Sequence, residues 1–157
     1  MSPDRRAYLD TSAVAKWYLN EPGSNEFVAF LNSLDVAVIS SLTVTEMRSL
    51  LSRRRRMGEL SEGTEAVLFA AFLDDIHQGW LQRYTVADSQ FDDAVRLITR
   101  YPQHALRTLD ALHLVIAQQA QIPILATADV VMAEAGRSIG FELVLLEGGP
   151  FPGGVDL

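Results

Sequence analysis

The sequence predicts a three-layer α/β/α sandwich built on a mainly parallel central sheet, and three observations carry that prediction. Short apolar runs alternate with longer amphipathic segments, and Gly, Pro or Asn marks many of the joins. Such a β-α rhythm produces parallel strands covered by helices on both faces. A length of 157 residues and a hydrophobic fraction of 48% suit one domain with a proper core.

The elements follow in order. A strand over 7–9 enters Asp10, and a helix over 12–19 stops at Asn20-Glu21-Pro22-Gly23. A second helix spans 24–34 with Ser24 as its N-cap, and 36–39 is a β-branched strand. After Ser40 and Ser41, a helix over 42–57 ends at Gly58. A long helix over 61–78 is capped by Ser61 and ended by Gly79, and 80–85 is the third strand. A helix over 88–101 is closed by Pro102, and a helix over 108–119 carries apolar residues at Leu109, Leu112, Val115 and Ile116. The short strand 124–126, the helix 130–139 and the strand 142–146 complete the pattern. No repeat or linker divides the chain, so residues 1–147 read as one domain and the Gly- and Pro-rich segment 148–157 as a loose tail.

The chain has no cysteine, which removes disulfides and thiolate metal sites and suits a reducing cytosol. Arg5 and Arg6 are not followed by a long apolar run, so no signal peptide or membrane span is expected. The formal charge of −7 argues weakly against contact with nucleic acid, because phosphate attraction needs positive surface. Acids that hold a cation would reverse that field locally. The positive charge is almost all arginine, with a run at 53–56 and Arg48 upstream.

In parallel α/β sheets, ligands bind beyond the carboxyl ends of the strands. Four acids stand there. Asp10 ends the first strand, Glu46 lies early in the helix after the second, Asp110 starts the 108–119 helix, and Asp129 follows the strand 124–126. Alone, each has an ordinary reading as a turn former, a helix cap or a surface side chain. Together, converging carboxylates repel, and a hard divalent cation such as Mg2+ or Mn2+ is the natural remedy. Such an ion can activate water against a phosphodiester without a protein nucleophile. The chain also lacks the serine-hydrolase elbow, the phosphate-binding P-loop and the zinc-protease helix motif. The residues by themselves thus indicate a metal-dependent α/β hydrolase.

The local sequences add a resemblance. YLDTSAVAKWYLNEPGS, VISSLTVTEMRSLL and LRTLDALHLVIAQQAQIPILATAD resemble, in order, the motifs of PIN-domain toxins of the VapC type. The similarity runs from about Tyr8 to Leu146. It implies a metal-dependent endoribonuclease whose ligands are Asp10, Glu46, Asp110 and Asp129, with RNA as substrate. It also implies a homodimer, cytoplasmic like its RNA, inhibited by a VapB-type antitoxin whose C-terminal segment covers the groove.

Neighbouring residues have two readings each. Thr11 and Thr127 are hydroxyls beside an acid, either supporting the site or capping a helix. Ser12 is a hydroxyl for Asp10, a metal-bound water or phosphate and a helix cap as well, whereas Ser40 and Ser41 are read first as caps. Arg107, one turn before Asp110, neutralises the acids or holds a phosphate, against the alternative of a surface ion pair. His113 is read as a hydrogen-bonded packing residue in preference to a general base. The arginines at 53–56 spread around a helix and are read as a solvated helix end, with RNA or antitoxin as the alternative. Trp17, Tyr18 and Phe27 are read as core or dimer contacts. Three other functions compete: a non-catalytic PIN-fold binding module, a PIN nuclease in housekeeping RNA processing, and an aspartyl-phosphate phosphatase. The last wants a second acid where Ser12 stands.

Overall fold

A computed structural model of the chain describes residues 4–146. Within them five strands and seven helices run in the order β1 (Arg6–Leu9), α1 (Thr11–Tyr18), α2 (Ser24–Asn32), β2 (Val36–Ser40), α3 (Ser41–Arg56), α4 (Glu62–His77), β3 (Leu81–Tyr84), α5 (Asp88–Arg100), α6 (Thr108–Gln119), β4 (Ile124–Thr127), α7 (Val130–Ile139) and β5 (Glu142–Leu145). The tail 148–157 lies outside the described residues.

All strand pairs are parallel, in the order β3-β2-β1-β4-β5. The strands bury alternate residues on opposite faces, as a period of two requires. Ala7, Leu9, Ala37, Ile39, Ile124 and Ala126 face one core with α1 to α4, where Phe27, Met47, Leu51 and Phe72 are fully buried. Tyr8, Val38 and Leu125 face a second core with α5, α6 and α7, rich in Leu112, Leu114, Val115 and Ile116. The result is the expected α/β/α sandwich. On the second face, α7 lies close to the sheet because Gly136 has no side chain: a Cβ there would stand 2.7 Å from Leu125 Cδ2.

The sequence-derived boundaries agree within a few residues, but the cap of α2 is Gly23 rather than Ser24. The Pro22-Gly23 turn needs a left-handed residue, and Gly23 supplies φ +90° without the cost a side chain would incur. Ser24 instead ties the turn together, donating to Leu19 O at 2.9 Å and accepting from Glu21 N at 3.1 Å.

The strand order positions the site. The chain moves outward from β1 through β2 to β3, then crosses back to set β4 on the other side of β1. The order reverses between β1 and β4, and the crevice beyond the carboxyl ends at such a point is where open parallel sheets bind ligands. Among the described residues no helix is long and apolar enough to cross a membrane.

Candidate functional site

Each of the four acids reaches this carboxyl edge on a different element. Asp10 leaves β1 directly and is the N-cap of α1, and Asp129 follows β4 as the N-cap of α7. Glu46 lies in the second turn of α3, which starts straight from β2. Asp110 is in the first turn of α6. Because α6 feeds β4 through residues 120–123, its C-terminus lies at the amino edge of the sheet and its first turn at the carboxyl edge.

Asp10 is the most enclosed of them, 5% exposed. Its Oδ1 accepts from Ser12 Oγ at 2.7 Å and Ala13 N at 3.0 Å, and its Oδ2 from Thr127 Oγ1 at 2.5 Å. Thr127 Oγ1 also accepts from Asp129 N at 3.0 Å, and Ser12 Oγ accepts from Ala128 N at 2.9 Å. The ends of β1 and β4 are thereby laced together by hydroxyls. Burial pushes the Asp10 carboxyl above its ordinary value, opposed by the Thr127 and Ser12 hydroxyls, the nearby His113 ring and the Ala13 N–H.

Asp110 is pushed up as well, first by burial. The Arg107 N–H, bonded to Oδ2 at 3.2 Å, opposes this, the neighbouring Asp129 charge adds to it, and the Arg107 guanidinium and His113 oppose it. Asp110 therefore lies within reach of the Asp129 charge. The Arg107 guanidinium is half-exposed with Nε 3.8 Å from Asp110 Oδ2, the loose pairing that contributes little energy.

Glu46 has a partner that its local sequence does not announce. His113 Nε2 lies 2.5 Å from Glu46 Oε1, and His113 Nδ1 lies 2.5 Å from the Tyr8 hydroxyl, which is 3.0 Å from Ser40 Oγ. Tyr8 and His113 are buried. Burial pushes the Tyr8 hydroxyl up, and it also feels the charges of Asp10 and Glu46. The packing reading of His113 holds, with the addition that its hydrogen bond goes to a site acid. Tyr8 escaped sequence reasoning. The available signal was a tyrosine on a buried strand, whose hydroxyl must find a partner.

Thr11, beside Asp10, is buried, and its Oγ1 has no hydrogen-bond partner within the protein. Ser40 and Ser41 start α3, and Ser41 Oγ accepts from Arg83 at 3.1 Å.

Of the arginine run read from sequence as a solvated helix end, Arg55 and Arg56 are exposed and Arg53 is half-buried, whereas Arg54 departs from that reading. Arg54 is buried and bonds Glu21 at 2.9 Å and Glu59 at 2.7 Å. Arg55 pairs with the buried Glu65 at 2.6 Å, and Arg48 pairs with the same carboxylate. Carboxylates at 21, 59 and 65 thus claim Arg48, Arg54 and Arg55, with Glu21 lying 33 positions from Arg54. Phe27 is core, whereas Trp17 is 45% exposed and Tyr18 bonds Asp75 at 2.6 Å. Trp17, Tyr18 and Trp80 line an apolar cavity of about 500 Å³ with Leu9, Val14 and Phe27, and none of the four acids reaches it.

The donor set is all carboxylate oxygen, the chemistry that Mg2+ and Mn2+ favour. The fit is one of chemistry and edge, not of a finished cage: among the described residues no three His, Asp or Glu side chains converge closely enough to hold an ion. Asp110 stands near the charge of Asp129, while Tyr8 stands near those of both Asp10 and Glu46. Uncompensated carboxylates repel, which favours this spread arrangement.

Comparison with known proteins agrees with the fold. The family model of the PIN domain matches residues 7–138. No curated protein matches the chain in sequence. Among solved structures, the VapC20 toxin of Mycobacterium tuberculosis, described as sarcin-ricin loop cleaving, is 16% identical with a TM-score of 0.67, over 83% of this chain and 95% of that one. VapBC2 from Rickettsia felis, bound to a DNA fragment from its promoter, is 16% identical with a TM-score of 0.65, over 90% and 99%. FitAcB from Neisseria gonorrhoeae is 17% identical with a TM-score of 0.63, over 87% and 95%. At these identities the likeness is one of fold, and together with the matched family model it leads to a plain conclusion: the chain belongs to the PIN domain family.

Proposed function

We propose that this protein is a divalent-metal-dependent endoribonuclease of the VapC toxin type. What supports the reading is that Asp10, Glu46, Asp110 and Asp129, each from a different element, stand along the carboxyl edge where the strand order reverses, without converging into a finished cage. Asp10, Glu46, Asp110 and Asp129 would hold Mg2+ or Mn2+. When bound, the ion supplies an acidified water and offsets phosphodiester charge. The chain does the rest. Thr127, Ser12 and the Ala13 N–H fix Asp10, and the Thr127 hydroxyl orients the Asp129 backbone. Arg107 stands at the rim of the acids, where a guanidinium can meet a phosphate.

Inducible expression with mapping of RNA cleavage sites tests the assignment. Cleavage stops with EDTA and in folded Asp10→Asn protein; retained cleavage by Asp10→Asn refutes the role of that acid.

A VapB-type antitoxin and homodimerisation belong to the same reading. The apolar cavity rimmed by the exposed Trp17 and Trp80 supports an antitoxin segment docking there, since exposed tryptophans around an apolar hollow are typical binding anchors. One observation favours a second reading, a non-catalytic PIN-fold module: the lack of three converging ligands among the described residues. Calorimetry with MnCl2 separates the two, because a scaffold binds none.

A further inference from the structure

The hydrogen-bonded line from Ser40 through Tyr8 and His113 to Glu46 touches three of the four elements that carry the acids. Tyr8 stands two residues before Asp10, His113 three residues after Asp110, and Ser40 ends β2 where the helix of Glu46 begins. The direction of the line follows from chemistry. A carboxylate only accepts, so His113 Nε2 carries the proton given to Glu46 Oε1. The Tyr8 hydroxyl lies 2.5 Å from Nδ1 and donates to Ser40 Oγ at 3.0 Å, so Nδ1 is engaged as well. Both ring nitrogens are engaged and the ring is 2% exposed, so His113 has no free nitrogen to offer a substrate water.

We propose that His113, braced by Tyr8, is a positioning residue that holds the Glu46 carboxylate ready for a divalent cation. A glutamate on the second turn of a helix has three rotatable bonds and otherwise samples solvent. One 2.5 Å bond to a ring that cannot turn, being wedged edge-on against Tyr8 at 5.6 Å between centroids, fixes one oxygen and leaves the other for the ion. It also couples α3 to α6 and so sets the separation of Glu46 from Asp110. Hydrogen-bond partners behind metal ligands commonly contribute 10- to 100-fold in affinity.

This inference rests on the metal-nuclease reading above, and its test keeps the two apart. MnCl2 is titrated calorimetrically into the unaltered chain, Asp110→Asn, His113→Ala, His113→Gln and Tyr8→Phe, with melting curves in EDTA. Binding by the unaltered chain and its loss in Asp110→Asn support the underlying reading; no binding by the unaltered chain overturns both. Given that binding, His113→Ala is expected to lose about 10- to 100-fold in Mn2+ affinity. His113→Gln, whose amide can still donate to Glu46, recovers most of it, and Tyr8→Phe shows a smaller loss in the same direction. A purely packing role predicts lower melting temperatures with unchanged affinity. His113→Ala or Tyr8→Phe binding Mn2+ indistinguishably from, or tighter than, the unaltered chain overturns the proposal. Should His113→Ala fail to fold, His113→Gln and Tyr8→Phe decide it.

Discussion

Thr127 Oγ1 donates to Asp10 Oδ2 at 2.5 Å, joining residues 117 positions apart, and the same oxygen accepts from the Asp129 N–H. One hydroxyl thus serves two acids at once, and it does so inside the protein, where Thr127 is 0% exposed. Substitution by Val keeps the shape and removes both bonds. Thr127→Val should therefore cost about 1.5–3 kcal/mol, the range for a hydrogen bond to a charged group. Urea denaturation at pH 7 measures it, and an unchanged midpoint would show that the bond contributes nothing.

Asp110 gives a pH signature. Its carboxyl is raised by burial first and by Asp129 in addition. Below the ordinary value of 3.8 the folded and unfolded forms are both protonated and the group is neutral to stability. Above that value the unfolded form ionises first, so the folded form binds more protons and stability falls as pH rises, until the folded pKa is passed. The penalty is then fully present at neutral pH. Asp110→Asn should raise the melting temperature of metal-free protein at pH 7 and lose that advantage near pH 3, while abolishing RNA cleavage. A melt that is lower at both pH values contradicts the burial penalty.

Divalent ion should act through the same acids. Ligand binding to the folded form raises stability by mass action. Saturating MgCl2 or MnCl2 should raise the melting temperature of the unaltered chain and leave Asp110→Asn unmoved. Equal shifts in both proteins would mean that the ion binds elsewhere.

The arginines of α3 are structural in this fold. Glu65 is buried and pairs with Arg48 and Arg55, with Ser52 donating at 3.2 Å. Glu65→Ala should destabilise by about 1.5–3 kcal/mol, with Arg54→Ala destabilising through the loss of Glu21 and Glu59. Arg54→Ala should leave the salt dependence of RNA binding unchanged, because a side chain held by an internal carboxylate releases few counterions from phosphate. A flatter salt slope in Arg54→Ala would return the arginine run to the RNA.

Trp80 is 75% exposed and rims the apolar cavity. Trp80→Ser should leave the melting temperature unchanged and weaken capture by a VapB-type antitoxin, measured by titration of the two purified proteins. Unchanged affinity would move the docking surface elsewhere.

The chain order of strands and helices, and hence the α/β/α class, was legible because periodicity and breakers are local properties. The four acids were legible for the same reason, since each sits next to a strand end or helix start that its neighbours announce. The α2 cap was misread because whether Ser24 or Gly23 begins the helix depends on the backbone sign the preceding turn demands.

Local pattern by itself thus determined the element types and the edge of the sheet at which Asp10, Glu46, Asp110 and Asp129 stand. Tertiary structure alone decided which strands are neighbours, that Glu46 answers to His113 across 67 positions, and that Arg54 answers to Glu21 across 33. The physical reason is that hydrogen bonds and ion pairs act over a few ångströms of space. Sequence separation says nothing about which groups the packed helices will bring that near.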